Sequence, residues 1–186
     1  MRGLVGLLVA LATLSLAVAG SAAAQSGKSP AAAQIDRDVE LAVKDLAARV
    51  PVTVELARHA KGVLVFPDIV KGGLIIGGQY GKGALRRHGR TVAYYETVSG
   101  SYGLQVGVQK YGYAMFFMTD AALGYLERSD GWEVGVGPSV VVMDEAQAKS
   151  LTTTTLRDDV YVFFFNQSGL MAGLGVQGSK INRIRP

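Results

Sequence analysis

Two stretches decide the reading of this chain: Gly77-Gly78-Gln79-Tyr80-Gly81-Lys82-Gly83 and Gly103-Leu104-Gln105-Val106-Gly107-Val108-Gln109. Side chains alternate across a strand. Gly77, Gln79, Gly81 and Gly83 therefore share one face, and so do Gly103, Gln105, Gly107 and Gln109. Gly135 with Gly137, and Gly169, Gly173 and Gly175 with Gln177, repeat the pattern. The opposite faces are aliphatic: Leu104-Val106-Val108, Val134-Val136-Val140 and Leu170-Ala172-Leu174-Val176. A strand glycine costs about 0.5–1 kcal/mol relative to alanine, so this many on one face have a cause. Either the sheet bends sharply and packs closely there, or a ligand approaches the backbone.

Outward from these stretches, period two holds from Gly62 onward. Val63–Phe66 reads as a strand stopped by Pro67. Leu74–Leu85 and Thr91–Val98 flank Arg86-Arg87-His88-Gly89-Arg90 as a hairpin. Ser101–Lys110, Tyr113–Met118, Glu133–Met143, Val160–Phe165 and Leu170–Ile181 read as further strands. Thr119-Asp120 caps a short helix over Ala121–Arg128 before the turn Ser129-Asp130-Gly131, and 144–150 reads as a helical turn. Before Gly62 the period is helical. Ile35, Val39, Ala42, Val43 and Leu46 form one apolar stripe, and a shorter helix, Thr53–Lys61, carries Val54, Leu56 and Ala57 and ends at Gly62. Helices first and strands after predict an α+β fold, with N-terminal helices packed on a Gly-rich, mainly antiparallel, strongly curved sheet or small barrel.

Residues 1–24 read as a targeting segment. Met1-Arg2 is a short positive start, 3–20 is nearly all apolar, and Ala22-Ala23-Ala24 is a small-x-small cleavage pattern leaving Gln25 first. An uncleaved anchor is the alternative. Residues 25–33 then read as a tether and 34–186 as one domain, helical over 34–61 and sheet over 62–186. The expected location is exported, periplasmic or secreted, with peripheral membrane association.

Composition narrows function further. Of 186 residues, 49% are hydrophobic, the formal net charge is +4, and there is no cysteine. Thiol catalysis, disulfides and cysteine zinc sites are excluded, and the charge is too mild for a nucleic-acid binder. Gly173-Leu174-Gly175-Val176-Gln177-Gly178 spells a dinucleotide fingerprint, but only eight residues follow it, too few for the helix and acid that must come after. Gly81-Lys82 lacks the rest of a phosphate loop. Ser99-Gly100-Ser101-Tyr102-Gly103 lacks the first glycine of a nucleophile elbow. The two histidines, His59 at a helix end and His88 at a hairpin tip, are poor catalytic bases. Asp144-Glu145 and Asp158-Asp159 read as solvated or capping acids. No enzyme, metal site or cofactor is expected.

What remains is electrostatic. Arg86, Arg87 and Arg90 crowd the hairpin tip with no acid between Lys82 and Glu96, and Lys180, Arg183 and Arg185 follow the last acid, Asp159. Each such cation near an anionic bilayer is worth about 1 kcal/mol. These six are the candidate lipid contacts. The stripe Ile35, Val39, Val43 and Leu46 is a second candidate contact.

From Leu41 to Arg185 the chain resembles the SYLF-domain family, a lipid-binding, actin-regulator-like module. The stretches that carry the resemblance are Ala60-Lys61-Gly62-Val63-Leu64-Val65-Phe66-Pro67, the Gly77–Gly83 run, Ser101-Tyr102-Gly103-Leu104-Gln105, Asp130-Gly131-Trp132-Glu133-Val134-Gly135-Val136-Gly137-Pro138-Ser139, Leu151-Thr152-Thr153-Thr154-Thr155-Leu156, Asp159-Val160-Tyr161, Gly169-Leu170-Met171-Ala172-Gly173-Leu174 and Gln177-Gly178-Ser179-Lys180. The resemblance implies non-catalytic binding of anionic phospholipid, phosphoinositide-like in the family, through an N-terminal amphipathic helix and basic surface residues. The matching segment here is Ile35–Arg58. The expected partner is an anionic phospholipid membrane. The rival reading is a protein–protein module in the cell envelope that uses the Gly/Gln face. An exported chain is not expected to meet actin.

Overall fold

The computed structural model describes residues 28–73, 76–102, 107–143, 157–169 and 178–186. Helix α1 spans Pro30–Arg49 and α2 spans Val52–His59. Strands β1 (Gly62–Gly73), β2 (Ile76–Arg87), β3 (Arg90–Tyr102) and β4 (Gly107–Phe117) follow. Then come α3 (Asp120–Arg128), β5 (Trp132–Glu133), β6 (Val140–Met143), β7 (Val160–Gly169) and β8 (Lys180–Ile184). The strands make one sheet in the order β5-β8-β3-β2-β1-β4-β7-β6, antiparallel except for the β6–β7 pair, curled into a half-barrel. The fold is α+β, as the order of periods in the sequence implied.

Each sheet face has its own core. On one face α3 packs Ala122, Leu123 and Leu126 against Leu64, Leu85, Met115 and Phe117. On the other, α1 and α2 lay Ile35, Val39, Ala42, Leu46 and Leu56 on Val65, Ala84, Ala114 and Phe116. α1 begins at Pro30, inside the segment read as a tether. Ser29 accepts a hydrogen bond from Ala32 N at 3.0 Å, and proline at the first helical position loses no needed donor. In α2, Val54 and Ala57 are exposed and the buried residues are Thr53 and Leu56, because the helix is only two turns long and meets the sheet along one edge.

Pro67 does not stop β1. The strand runs on to Gly73 through a bulge, where three steps on β1 (Val65 to Asp68) face two on β2 (Ala84 to Lys82). A bulge is one of the few sheet sites that accept proline. The same dislocation faces β4 at Gly112, and a further one between β4 and β7 accompanies Asn166, whose φ is 53°. These irregularities lie side by side across β2, β1, β4 and β7, and glycines sit opposite the bulged backbone. A Cβ on Gly81 would stand 2.7 Å from Asp68 O, and one on Gly83 would stand 2.8 Å from Phe66 Cδ1. The glycine face is thus a crease where the sheet bends and packs closely.

Other boundaries shift for similar reasons. Of the expected strand Ser101–Lys110, Ser101 and Tyr102 end β3 and Gly107–Lys110 open β4, while 103–106 fall outside the described residues; the expected Tyr113–Met118 continues that same β4 as far as Phe117. Glu133–Met143 is not one strand, since Gly135 and Gly137 take φ of 103° and 91° and fold the chain into turns between β5 and β6. Only Lys180 and Ile181 of the expected Leu170–Ile181 strand lie in β8; 170–177 fall outside the described residues, as does the 144–150 turn. α3 keeps its Thr119 cap, with Thr119 Oγ1 accepting from Ala122 N at 3.2 Å.

Candidate functional site

The hairpin cations do not act as one group. Arg86 and Arg87 are successive strand residues and so face opposite sides of the sheet. Arg86 turns toward α1, where its Nη2 donates to Gly89 O at 2.7 Å and lies 3.4 Å from Glu40. Arg87 turns toward α3 and lies 3.6 Å from Glu127. Arg90 is exposed beside the tip, paired in register with Arg87. On β8, Arg183 sits opposite Tyr95 and shares the α3 side with Glu127. The Tyr95 hydroxyl is pushed up by burial and by Glu127 against the opposing pull of Arg183. Arg185 is exposed near the α1 start, where Ser29 Oγ donates to Pro186 O at 2.8 Å. Lys180 faces the other side, in register with Glu133 and Val98. The six cations therefore spread over at least two faces, and the acids beside them come from α1, α3 and β5.

The apolar stripe is also spent elsewhere. Ile35, Val39 and Leu46 are buried against the sheet and Val43 is half-buried beside them. That stripe holds the helix on the domain, and a bilayer would have to displace the sheet to reach it. Asp36 ties the start of the same helix to β3. Its carboxylate accepts from Lys28 Nζ, from Thr91 Oγ1 at 2.7 Å and from Tyr94 OH at 3.1 Å. Burial alone would raise the Asp36 carboxyl, and these donors outweigh it and hold it below the ordinary carboxylate value.

Among the described residues, the glutamines of the Gly/Gln face on β2 and β4 are interior. Gln79 and Gln109 are 5% and 4% exposed. Tyr111 OH donates to Gln79 Oε1 at 2.6 Å, and Gln79 Nε2 donates to Ser179 Oγ at 2.6 Å. Burial pushes the Tyr111 hydroxyl up to about 12. A partner protein cannot read Gln79 or Gln109, which corrects that part of the rival reading's surface; Gly103, Gln105, Gly173, Gly175 and Gln177 lie outside the described residues. On β2 and β4 the residues between these glycines and glutamines, Tyr80, Lys82, Val108 and Lys110, point outward.

Those outward residues form the uncovered surface. Beyond the reach of α1, one cross-strand row runs Lys180 (β8), Val98 (β3), Tyr80 (β2), Val70 (β1), Lys110 (β4). Val70 and Tyr80 are 44% and 45% exposed. The next row toward the strand ends is Gly100, Gly78, Gly72 and Val108, with Val108 63% exposed. The row on the α1 side is polar: Asn182, Glu96, Lys82 and Asp68. The result is a low apolar shelf, bracketed by Lys110 and Lys180, with a polar margin. Sequence reasoning missed Val70, Tyr80, Lys110 and Val108. The parity of the Gly77–Gly83 run separates Tyr80 and Lys82 from the glycines, but parity alone does not say which face is left uncovered.

The catalytic letter-matches find no support in the backbone. Ser99 lies in extended β3, and Gly178 is a turn residue just before β8; residues 173–177 and 144–145 lie outside the described residues. Asp159 caps, as expected. It accepts from Ser139 N at 3.1 Å and Thr119 Oγ1 at 3.0 Å, and these bonds, the Ser139 backbone first, hold its carboxyl low. Asp158 sits 3.4 Å from Tyr161 OH. His59 is exposed at the end of α2, its Nδ1 2.9 Å from Glu55 O. Among the described residues no group of three His, Asp or Glu is placed to hold a metal ion, and no helix is long and apolar enough to cross a membrane.

Residues 98–185 match the family model Ysc84, whose description is Las17-binding protein actin regulator. Over these residues the chain matches the Ysc84, or SYLF, domain. The matched region begins at Val98 in the shelf row and ends at Arg185 just after β8. It holds Val98, Val108, Lys110 and Lys180 of the SYLF shelf, while α1, α2 and the Arg86–Arg90 hairpin precede it. No curated protein matches the chain.

Proposed function

We propose that this SYLF-domain protein is exported and binds anionic phospholipid bilayers peripherally, without catalysis, through the shelf formed by Val70, Tyr80, Val98 and Val108 between Lys110 and Lys180. The observation that carries the reading is the row Lys180–Val98–Tyr80–Val70–Lys110, apolar in its middle with a lysine on each side, beyond which the register continues to Glu133 on β5 and Ser168 on β7. Such an arrangement suits an interface where side chains enter the acyl boundary and ammonium groups stay among phosphates. Fully burying a valine is worth about 1.5 kcal/mol. Roughly half of that surface is already covered, so four side chains supply about 3 kcal/mol. The two lysines add about 2 kcal/mol. The total of about 5 kcal/mol resembles a single myristoyl chain, with an association constant near ~10⁴ M⁻¹ and reversible attachment. The apolar segment 1–24 supports export. In that setting lipid, rather than the actin of the family's description, is the partner.

The test is co-sedimentation of the protein with vesicles of phosphatidylglycerol and phosphatidylcholine. Replacing Tyr80 and Val108 by serine should lower binding by roughly tenfold or more, and Lys110→Gln with Lys180→Gln should do so in a salt-sensitive way. Replacing Arg86, Arg87 and Arg90 by glutamine should matter less, since Arg86 and Arg87 are committed to Glu40 and Glu127. The reverse order of effects would move the contact to the hairpin tip.

A further inference from the structure

Where α1 turns into α2, the helices do not close on the sheet. A cavity of about 250 Å³ lies there. Its floor is Leu46, Val65 and Phe116, its wall is Val54 and Ala57 of α2, and its rim is Arg86 with His88 at the β2–β3 tip. Thr53 also lines it, but its hydroxyl is already committed, donating to Val50 O at 2.7 Å. The polar character of the cavity is therefore concentrated at one end. Small side chains (Ala47, Ala57, Ala60 and Ala114) line it where larger ones would fill the space.

The rim carries a cation. The Arg86 side chain is 19% exposed, and two of its contacts, Gly89 O and Glu40, both involve Nη2. A guanidinium has five N–H donors in a fixed fork suited to carboxylates. Glu40 is half exposed and is also held by Lys44 Nζ at 3.2 Å, so it does not saturate Arg86. With Arg86 and Lys44 set against Glu40, the charge at this rim is positive.

We infer that this cavity binds one medium-length fatty-acyl chain, with its carboxylate on Arg86 and its hydrocarbon between α2 and the sheet. A methylene takes about the room of one liquid water, ~30 Å³, so the space holds roughly eight carbons. It lies just below the usual range of small-molecule sites, about 300–1,000 Å³. The ligand is a free carboxylate in solution and not a bilayer lipid. The cavity and the shelf lie at opposite ends of the sheet, with Tyr80 and Arg86 six residues apart on β2, or roughly 20 Å at strand rise. The inference stands apart from the bilayer reading.

The test is calorimetric titration of the purified protein with decanoate below its micelle concentration and without vesicles. Saturable one-to-one binding is expected, with decyltrimethylammonium at least tenfold weaker and acetate silent. Arg86→Gln should weaken decanoate about tenfold and leave decanol unchanged, and Arg86→Lys should recover part of the loss. Ala57→Leu points new volume into the cavity from an exposed helix position and should weaken decanoate and decanol alike by at least tenfold. If that variant unfolds, Val54→Phe gives the same readout. Equal binding of the anionic and cationic amphiphiles, or unchanged affinity in both cavity variants, overturns the assignment. Replacing Tyr80 and Val108 by serine should leave decanoate binding intact, so the two sites succeed or fail separately.

Discussion

Replacing Gly83 by alanine tests whether the glycine face is a packed crease. The new Cβ would stand 2.8 Å from Phe66 Cδ1 and 2.9 Å from the Val65 carbonyl carbon, and closer still to the Val65 oxygen. Val65 and Phe66 are both fully buried and belong to the bulged segment of β1, which is paired on both sides, so this backbone cannot retreat cheaply. Adding a methyl to a filled core costs typically about 1–3 kcal/mol, and more where backbone must move. Removing a strand glycine returns about 0.5–1 kcal/mol. The net expectation is a loss of about 2–3 kcal/mol, a large share of the ~5–15 kcal/mol that holds a domain together. In a domain of this size that lowers Tm by about 5–10 °C. The control is Gly100→Ala, where a Cβ would meet nothing within 4 Å, and stability should stay within about 0.5 kcal/mol. Urea unfolding at fixed m measures both variants. If Gly83→Ala matches Gly100→Ala, the close-packing explanation is wrong. A variant that kept its stability but lost vesicle binding would restore the glycine face as a ligand surface.

Two further outcomes follow from buried polar contacts. The Asp36 carboxyl is held below its ordinary value, so its contribution is fully present above the unfolded pKa near 3.8 and is lost as pH falls through the lower folded value; Asp36→Ala should cost about 2 kcal/mol at pH 7, much less in strong acid, as read by denaturation midpoints at several pH values. Tyr111→Phe removes the donor to Gln79 Oε1 and leaves a buried acceptor unpaired, so it should destabilise by about 1–3 kcal/mol, and ultraviolet titration of the parent should show one tyrosine ionising only near pH 12.

Much of the architecture is local in origin and was readable in the sequence. The stripe Ile35-Val39-Ala42-Leu46 specifies α1 and its buried side, Thr119 specifies the start of α3, and the His88-Gly89 tip, both residues at positive φ, specifies the β2–β3 hairpin. The parity of the Gly77–Gly83 run separates two strand faces, because alternation is a property of the extended backbone itself. Which face points inward is not, so the two-fold periodicity left the packed and the ligand-facing readings of the glycine face both open. Gln79 is interior because Tyr111 and Ser179, far away in sequence, supply its partners, and Tyr80 is exterior because α1 ends before reaching it. Pro67 looks like a stop until the bulge makes room for it opposite Gly83 and Gly112. The cation clusters show the same division. The sequence determined that Arg86, Arg87 and Arg90 sit at one tip, and that Lys180, Arg183 and Arg185 crowd the end. Only the tertiary structure set Glu40 and Glu127 beside two of them and aligned Lys180 with Lys110 across a row of five strands, because strand pairing joins residues that chain order keeps apart.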